Sequence, residues 1–522
     1  MNSTGTAPAT VRALIDAQAS LRPDAVYAVA TETGRHLRYA ELRASCRRFA
    51  ALLAAHGAAP GDTVSVVMPN GLATLRVLLG ALWGARCVNP VNLLAQAEQM
   101  RYVIEHSDCK LVVVAPEWHE RIRALVETIE RPIAIVVVDP DTAADTFADT
   151  FADTAAPRGA LGLADAAGDP LPPAAEAVAL LMYTSGTTGR PKGVMLTQAN
   201  LAANAGAIAA EHALHSGDRV LGVLPLYHIN AFAVTMLAPL ASGGSVAMAP
   251  KFSAARFWAQ AAEHGCSWLN VVPTIVSYLL EGETPPREPL ARLRFCRSAS
   301  AALPPEHLRA FESRFGIGVI ETMGLTETVA PSFSNPLDAA RRKLGSVGRA
   351  SGCEARIVDS AAQPVADGVT GEIAIRGPNV MRGYYKNAEA TAAAFTADGW
   401  LRTGDLGHRD GDGFFFVTGR IKELIIKGGE NIAPREIDEA LLAHPAVLDA
   451  AAVGIPDKHY GQEILACVVL REGAACGEDE LRAFCTARLG RYKTPKQLRF
   501  VGDLPRGPSG KVQRLKLADL AG

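Results

Sequence analysis

The sequence predicts an α/β protein with a large N-terminal domain, a β-rich subdomain and a small α+β C-terminal domain. Short apolar stretches alternate with stretches of helical periodicity before residue 345, which favours parallel sheets flanked by helices. Glycines and turns become frequent over residues 345–418, and short alternating segments there are typical of antiparallel strands. Because 522 residues are too many for one core, we predict a first domain over residues 1–419 and a second over residues 420–522.

The first predicted elements alternate between helix and strand. Leu42, Cys46, Phe49 and Leu53 recur at helical spacing, and Gly57 follows them as a helix end. The alternation continues with apolar strands and further helices as far as residue 115. The predicted order is helix 39–56, strand 63–68, helix 71–83, strand 87–90, helix 94–105 and strand 110–115.

Residues 139–174 interrupt this pattern. They contain the tandem repeat ADTFADTFADT over residues 144–154, and small and acidic residues dominate the segment. Such a composition cannot bury much apolar surface. We therefore expect a variable surface loop or a partly disordered insertion.

A polar stretch over residues 183–193, with the sequence YTSGTTGRPKG, follows a buried strand predicted over residues 177–182. Its glycines allow close approach of the backbone to a ligand, its hydroxyls donate hydrogen bonds, and Arg190 and Lys192 supply positive charge. These are the properties of a phosphate-binding loop, although a solvated Ser/Gly loop has a similar composition. The Walker loop requires G-x-x-x-x-G-K-[ST], and here Gly189 is followed by Arg-Pro, so the spacing excludes it.

Alternation resumes after this loop, and three of the next strands end in small polar turns. The turns contain His228 and Asn230, then Ser298 and Ser300, and then residues 322–327. Since ligands bind beyond the carboxyl ends of strands in open parallel sheets, we expect these turns to face one cleft with the phosphate-binding loop. The predicted helices are 196–212, 231–240, 254–263, 275–280 and 305–315, and the predicted strands are 219–224, 245–248, 268–272, 293–297 and 317–321.

The C-terminal part begins with a polar, charged link over residues 419–423. Its pattern predicts a separate α+β unit. It ends in a turn-rich segment, residues 504–514, which contains prolines, glycines and Lys511. The predicted elements are strand 424–427, helix 434–443, strand 447–453, strand 463–470 and helix 478–489.

Composition narrows the class of protein. Hydrophobic residues make up 49% and charged residues 20% of the chain, and the net charge is −2, so no strong field would attract nucleic acid. Neither a signal sequence nor a transmembrane segment is evident, which predicts a cytoplasmic protein. We expect a monomer or a homodimer. The nine cysteines are scattered without a CxxC pair or a His/Cys cluster. We therefore expect buried free thiols and no structural metal site.

Seven segments in one order resemble the adenylate-forming superfamily, in particular its acyl-CoA synthetases. The resemblance implies an ATP-dependent carboxylate–CoA ligase, in which a carboxylate and ATP give an acyl-adenylate and pyrophosphate, and coenzyme A then releases AMP. Transfer to a free-standing carrier protein, or a non-catalytic nucleotide-binding protein on the same fold, are the alternatives. The segments are residues 183–193, 225–230, 324–327, 403–405, 419–422, 427–431 and 505–511.

The resemblance implies a nucleotide site made from several of these segments. It places Mg²⁺ on Thr184 and Glu327, and a carboxylate is a suitable hard ligand for that ion. Asp405 would accept hydrogen bonds from the ribose with Arg420 beside it, and Met323 stands where an aromatic residue usually contacts adenine. The implied ATP- and AMP-binding residues are Thr184, Ser185, Gly186, Thr187, Thr188, Gly189, Lys192, Ser300, Ala301, Ala302, Thr322, Met323, Gly324, Thr326, Asp405 and Arg420.

The resemblance also implies that the C-terminal domain is a mobile lid. Lys511 would be the catalytic lysine, whose ammonium reduces the repulsion between the attacking carboxylate and the α-phosphate. A hinge at Lys422 would rotate the lid after adenylation and bring Gly428 and Gly429 to the coenzyme A channel. Glycine suits that position because a narrow channel beside the backbone admits no side chain.

The resemblance implies that the substrate is a small carboxylic acid. It indicates the reaction more clearly than it indicates which acid is used. His228, treated as catalytic together with Glu327 and Lys511, would also line the acyl pocket with Asn230, Thr274 and Ala299. Amino-acid adenylation domains normally carry an acid at or beside position 228, and none is present. Parts of the chain resemble carnitine/crotonobetaine and fatty-acid CoA ligases, which would place the enzyme in fatty acid metabolism.

Overall fold

The computed structural model describes residues 8–139, 169–184, 190–507 and 512–520. Most of the predicted insertion, the central residues of the phosphate-binding loop (Ser185, Gly186, Thr187, Thr188 and Gly189) and Lys511 lie outside the described residues.

Helices and strands alternate through the N-terminal part of the chain, as the sequence predicts. The helices are α1 Val11–Leu21, α2 Tyr39–Ala55, α3 Leu72–Trp83, α4 Ala97–His106, α5 His119–Val126, α6 Gln198–Glu211, α7 Ala238–Ser242, α8 Ala254–Glu263, α9 Pro273–Glu281, α10 Pro305–Phe315, α11 Ala388–Ala394, α12 Pro434–Leu442, α13 Glu478–Lys493 and α14 Arg514–Leu517. A π-helix, Asn230–Leu237, precedes α7, and 3-10 turns occur at Pro116–Trp118, Glu288–Leu290, Thr326–Thr328, Ala339–Arg341, Ile421–Glu423 and Ala518–Leu520.

The strands form four sheets. In chain order they are β1 Val26–Ala30, β2 His36–Arg38, β3 Thr63–Val67, β4 Cys87–Pro90, β5 Leu111–Val114, β6 Ala134–Val137, β7 Val178–Thr184, β8 Lys192–Thr197, β9 Arg219–Gly222, β10 Ser245–Met248, β11 Trp268–Val271, β12 Phe295–Ser298, β13 Val319–Met323, β14 Phe333–Ser334, β15 Arg349–Ala350, β16 Glu354–Val358, β17 Gly371–Arg376, β18 Gly383–Tyr384, β19 Leu401–Arg409, β20 Phe415–Arg420, β21 Ile425–Lys427, β22 Glu430–Ile432, β23 Val447–Asp457, β24 Gly461–Leu470 and β25 Gln497–Phe500.

Two large sheets form the N-terminal part, and their central strands are parallel. The larger has the order β15-β14-β13-β12-β11-β9-β10-β1-β2, and its strands from β13 to β1 run parallel. The other has the order β18-β8-β7-β4-β3-β5-β6, parallel from β7 to β6. Strands that are apolar on both faces, such as the fully buried β5, suit a sheet covered by helices. The predicted α/β class is confirmed.

The β-rich subdomain and the C-terminal part each have their own sheet. Strands β16, β17, β19 and β20 pair antiparallel between residues 354 and 420. Strands β21 to β25 form a further sheet, packed by helices α12 and α13. Two clusters of buried apolar side chains are formed only by residues between 425 and 517. The domain boundary near Arg420 stays a prediction, although β20 ends at that residue.

Several elements differ from the sequence prediction. Strand β7 extends to Thr184, and β8 follows as its antiparallel partner, whereas the sequence predicted a loop that continued into a helix from residue 196. The helix begins only at Gln198, where Thr197 caps it. The segment 231–240, predicted as one helix, is a π-helix followed by the short α7.

Two further expectations concern thiols and membranes. All nine cysteines are free, and seven of them are buried, as predicted. Across the described ranges, every helix is too short or too polar to traverse a lipid bilayer.

Candidate active site

The predicted phosphate-binding loop connects two adjacent strands. Thr184, the last residue of β7, pairs with Lys192, the first residue of β8. The hydroxyl of Tyr183, the preceding residue of β7, lies 2.7 Å from His106 Nδ1. The Arg190 guanidinium carbon lies 5.5 Å from the Tyr102 ring centroid, a cation–π contact. The structure therefore fixes both ends of the loop.

A tyrosine, Tyr384, contacts both Lys192 and the predicted metal ligand Glu327. Lys192 Nζ lies 4.8 Å from the Tyr384 ring centroid, and the Tyr384 hydroxyl donates a 2.8 Å hydrogen bond to Glu327 Oε1. Burial and the adjacent carboxylate raise the pKa of Tyr384, so its hydroxyl stays protonated at physiological pH. The Glu327 backbone oxygen also accepts a hydrogen bond from the Met381 amide. The sequence analysis did not identify Tyr384.

Arg420 forms an ion pair with the predicted ribose-binding residue, Asp405. Asp405 and Arg420 are register partners on β19 and β20, with Arg420 Nε 2.8 Å from Asp405 Oδ1. The Asp405 side chain is only 4% exposed. Asp405 chiefly, and Glu327 to a smaller extent, raise the pKa of Arg420. Lys192, Tyr384 and Glu327 thus form one group of contacts, and the ion pair between Asp405 and Arg420 lies near enough for Glu327 to influence the pKa of Arg420.

The predicted adenine-binding residues lie at the carboxyl ends of β12 and β13. Thr322 is buried and its hydroxyl donates a 3.5 Å hydrogen bond to the Ser298 carbonyl of β12. Met323 packs against the apolar cluster around Phe333. Gly324 has no space for a side chain, because a Cβ there would lie 2.7 Å from Ala330 Cα. Ala301 and Ala302 are exposed, and Thr326, like Glu327, lies in the 3-10 turn Thr326–Thr328.

The predicted acyl-pocket residues lie on the same edge. Asn230 begins the π-helix after β9, and its Nδ2 lies 3.4 Å from Ser300 Oγ beyond β12. Ser300 has a φ of +75°, a conformation uncommon outside glycine. Ala299 is buried, and Thr274 lies in the first turn of α9 after the neighbouring strand β11. His228 is half-buried and its ring lies 4.7 Å from that of Tyr227.

A buried arginine lies beside these residues. Arg297 of β12 is 0% exposed, and its Nη1 donates 2.7 Å hydrogen bonds to Oδ1 of both Asn230 and Asn270. Burial lowers its pKa to about 9, so the guanidinium remains charged at neutral pH. The sequence analysis placed this residue in a strand without assigning it a role.

The proposed hinge and coenzyme A residues lie beyond β20. Lys422 is the middle residue of the 3-10 turn Ile421–Glu423. Gly428 and Gly429 connect β21 and β22 with φ of +56° and +87°, which glycine adopts readily. A Cβ at Gly428 would lie 3.0 Å from the Tyr492 hydroxyl. Lys422 therefore lies in a turn, and Gly428 and Gly429 lie in a tight connection between two strands.

Lys511 itself lies outside the described residues, but its neighbours are well fixed. Val512 forms a β-bridge with Arg506, and Arg506 pairs with Asp449. Arg514 forms an ion pair with Asp438 and lies 3.2 Å from Glu423. The described residues on either side of Lys511 thus contact other parts of the C-terminal domain.

One group of metal-ligating side chains lies away from this site. His444, Cys476 and Glu480 present ligand atoms within 4.8 Å of one another, although the sequence spacing suggested no such cluster. The Ala446 amide donates to His444 Nδ1 at 3.3 Å, so the neutral ring carries its proton on Nε2, the nitrogen that faces Cys476 and Glu480. That tautomer does not favour a metal ion there.

Together, the parallel sheets and the polar residues at their strand ends form the arrangement that the sequence analysis associates with adenylate-forming enzymes. The chain belongs to the AMP-binding enzyme family, whose model matches residues 15–385, and the AMP-binding enzyme C-terminal domain matches residues 436–511. The expected resemblance is confirmed.

Similar proteins of known name indicate which reaction the chain catalyses. Over 516 residues the chain is 55% identical to a sulfoacetate–CoA ligase of Cupriavidus necator, which covers 98% of each chain. It is 35% identical to an oxalate–CoA ligase of Arabidopsis thaliana, covering 92% of each. The ATP-bound structure of MatB from Rhodopseudomonas palustris matches with a TM-score of 0.88 at 30% identity, covering 98% of this chain and 100% of that one. The chain is an ATP-dependent carboxylate–CoA ligase of the AMP-forming, acid–thiol class.

Proposed function

We propose that this ligase activates a short carboxylic acid that carries a second acidic group, with sulfoacetate as the first candidate. The identity to the sulfoacetate–CoA ligase extends over nearly the whole of both chains. The oxalate–CoA ligase, another relative, is named for an acid with two charged ends. Fatty acids, which the sequence analysis considered, are not the substrates that these names suggest.

The polarity of the predicted acyl pocket is the observation that carries this proposal. Asn230 is 6% exposed, and its amide contacts Ser300, Asn270 and Arg297. An alkyl chain at this position would cover these polar groups without offering hydrogen bonds, which is unfavourable. A short acid with polar oxygens at both ends would satisfy them.

The nucleotide would bind along the polar contacts between the hairpin and β19. Lys192 would contact phosphate oxygens at the exit of the loop, and Asp405, oriented by Arg420, would accept hydrogen bonds from the ribose hydroxyls. Thr184 and Glu327 supply the hydroxyl and carboxylate oxygens that suit Mg²⁺, and Tyr384 orients that carboxylate. When bound, the ion would neutralise charge on the phosphates.

The C-terminal residues would complete each half-reaction in turn. We propose that residues 420–522 form a mobile domain that presents Lys511 during adenylation and then rotates about Lys422. Gly428 and Gly429 would then border the coenzyme A channel. Support comes from the 3-10 turn at the hinge position and from the separate sheet and apolar clusters that follow it.

The test is ATP–pyrophosphate exchange with a panel of acids, followed by a thioester assay with free coenzyme A. Sulfoacetate, oxalate, malonate, acetate, butyrate and octanoate form a suitable panel, each assayed with and without Mg²⁺. We expect exchange to be fastest with one of the doubly acidic compounds and to require Mg²⁺. Preference for octanoate or butyrate would contradict the proposed substrate class. Exchange without thioester formation would contradict coenzyme A as acceptor.

A further inference from the structure

Arg297 is a buried cation without an acidic partner. Its side chain is inaccessible to solvent, and the only hydrogen bonds it donates to described residues run from Nη1 to the Asn230 and Asn270 carbonyls. Throughout the described ranges, no carboxylate oxygen lies within ion-pair distance of its guanidinium. Nε is buried and lacks a hydrogen-bond partner among the described residues.

Such an arrangement is unusual, because buried charges are normally paired. Neutral amides use two of the five N–H donors of arginine and leave its positive charge uncompensated. The nearby His212 does not supply an anion. Burial, together with the adjacent Arg297 charge, lowers the pKa of His212 to about 3, so its ring is neutral. Among the described residues, no anionic side chain therefore balances the charge of Arg297.

The position of Arg297 connects it to the acyl pocket. Asn270 and Arg297 are register partners on the parallel strands β11 and β12. Asn230 lies between the guanidinium and Ser300, accepting a hydrogen bond from the first and contacting the second at 3.4 Å. Thr235 of the π-helix accepts a 3.1 Å hydrogen bond from Asn270, which fixes the orientation of that amide. Both amide oxygens thereby face the guanidinium.

We propose that the buried positive charge of Arg297 selects for a second acidic group on the substrate, with Asn230, which lies between Arg297 and Ser300, making the contact and Asn270 acting as a positioning residue. This inference rests on the proposed doubly acidic substrate. Arginine is suited to the task because it remains charged when it is buried, and an unpaired positive charge in a low-dielectric interior attracts an anion bound nearby. The reacting carboxylate would then lie at the opposite end of the acid, towards the nucleotide.

The test compares sulfoacetate with acetate, which lacks the second acidic group, in the exchange assay. Arg297→Met removes the charge at similar volume, and Arg297→Lys keeps the charge without the planar donors. We expect Arg297→Met to reduce kcat/KM for sulfoacetate roughly 100-fold, while kcat/KM for acetate changes less than about threefold. Arg297→Lys should give an intermediate loss.

Asn270→Asp separates recognition from folding. Its carboxylate would pair with Arg297 inside the protein, so we expect an unchanged or higher Tm together with a roughly 30-fold or greater loss of kcat/KM for sulfoacetate. Full sulfoacetate activity in Asn270→Asp would overturn the inference, as would equal losses for both acids in Arg297→Met. If Arg297→Met does not fold, the Asn270→Asp ratio decides alone.

The outcomes for the proposed function are distinct. Wild-type enzyme that ignores every doubly acidic compound and activates a monocarboxylate would contradict the proposed function itself. Wild-type enzyme that prefers sulfoacetate, with a preference unchanged in Arg297→Met and Asn270→Asp, would contradict only the role of Arg297.

Discussion

The Tyr384 hydroxyl donates a 2.8 Å hydrogen bond to Glu327 Oε1, although the two residues are 57 positions apart in the chain. The ring of the same tyrosine lies 4.8 Å from Lys192 Nζ. Tyr384 thus holds the proposed metal ligand in a fixed orientation and places it beside the phosphate-binding hairpin.

Tyr384→Phe should therefore impair adenylation. It removes one hydrogen bond to a charged group, and we expect kcat/KM in ATP–pyrophosphate exchange to fall roughly 10-fold, with a higher Mg²⁺ requirement. Tyr385→Phe is the matched control, since the Tyr385 hydroxyl donates to Asp108 on the surface. A similar loss in both variants would argue against a role for Tyr384 at Glu327.

Glu321 should make stability depend on pH. Burial raises its pKa to about 7, well above the roughly 4.3 of an unfolded chain. Between these values the folded protein binds more protons than the unfolded chain, so the free energy of unfolding falls as pH rises towards 7. Glu321→Gln keeps an acceptor for the Leu303 amide. It should stabilise the protein by about 3 kcal/mol at pH 8 and by less than about 1 kcal/mol at pH 5.

Thermal unfolding of Glu321→Gln and wild type from pH 5 to pH 8 measures this difference. Glu306→Gln, at an exposed position of α10 beside Arg309, is the control and should change stability by less than about 0.5 kcal/mol throughout. A stability gain that is the same at all pH values would contradict the titration of Glu321.

Lys511→Ala should abolish adenylation and spare thioester formation from supplied acyl-adenylate. The lysine would reduce repulsion between two anions, a requirement of the first half-reaction only. Lys516→Ala, at an exposed position of α14, is the control and should retain both activities. Normal pyrophosphate release by Lys511→Ala would exclude this role.

Lys422→Pro should slow the thioester step more than adenylation. Proline fixes φ and would restrict rotation of the backbone at the proposed hinge. Single-turnover measurements of pyrophosphate release and of acyl-CoA formation separate the two steps. Equal losses in both half-reactions would count against a hinge at this residue.

The sequence was most informative where periodicity and burial agree. Leu111–Val114 is apolar on both faces and is a buried central strand, as predicted. Strand β8 was missed because its apolar residues run directly into α6, so the two periodicities overlap. Its identity depends on pairing with β7, which is a property of the tertiary structure.

The same distinction applies to the site. Thr184, Glu327, Asp405 and Arg420 occur in recognisable local patterns. The structure pairs Asp405 with Arg420 and places Glu327 near enough to influence the pKa of Arg420. Arg297 has no such pattern. A cation in an apolar strand becomes informative only when its burial and the absence of an acidic partner among the described residues are known. The single sequence signal was its place in the strand predicted over residues 293–297, LRFCR, in which three of five residues are apolar.

Two backbone amides beside strand β18 form hydrogen bonds to the hairpin of β7 and β8. The Tyr385 amide donates to the Gly193 oxygen at 2.8 Å, and the Arg382 amide donates to the Met195 oxygen at 3.0 Å. Local opening of the hairpin must break both hydrogen bonds, so the exchange of these two amides with deuterium follows the opening equilibrium. Exchange at these two amides therefore measures the stability of the strand pair that flanks the phosphate-binding loop, at residues far along the chain.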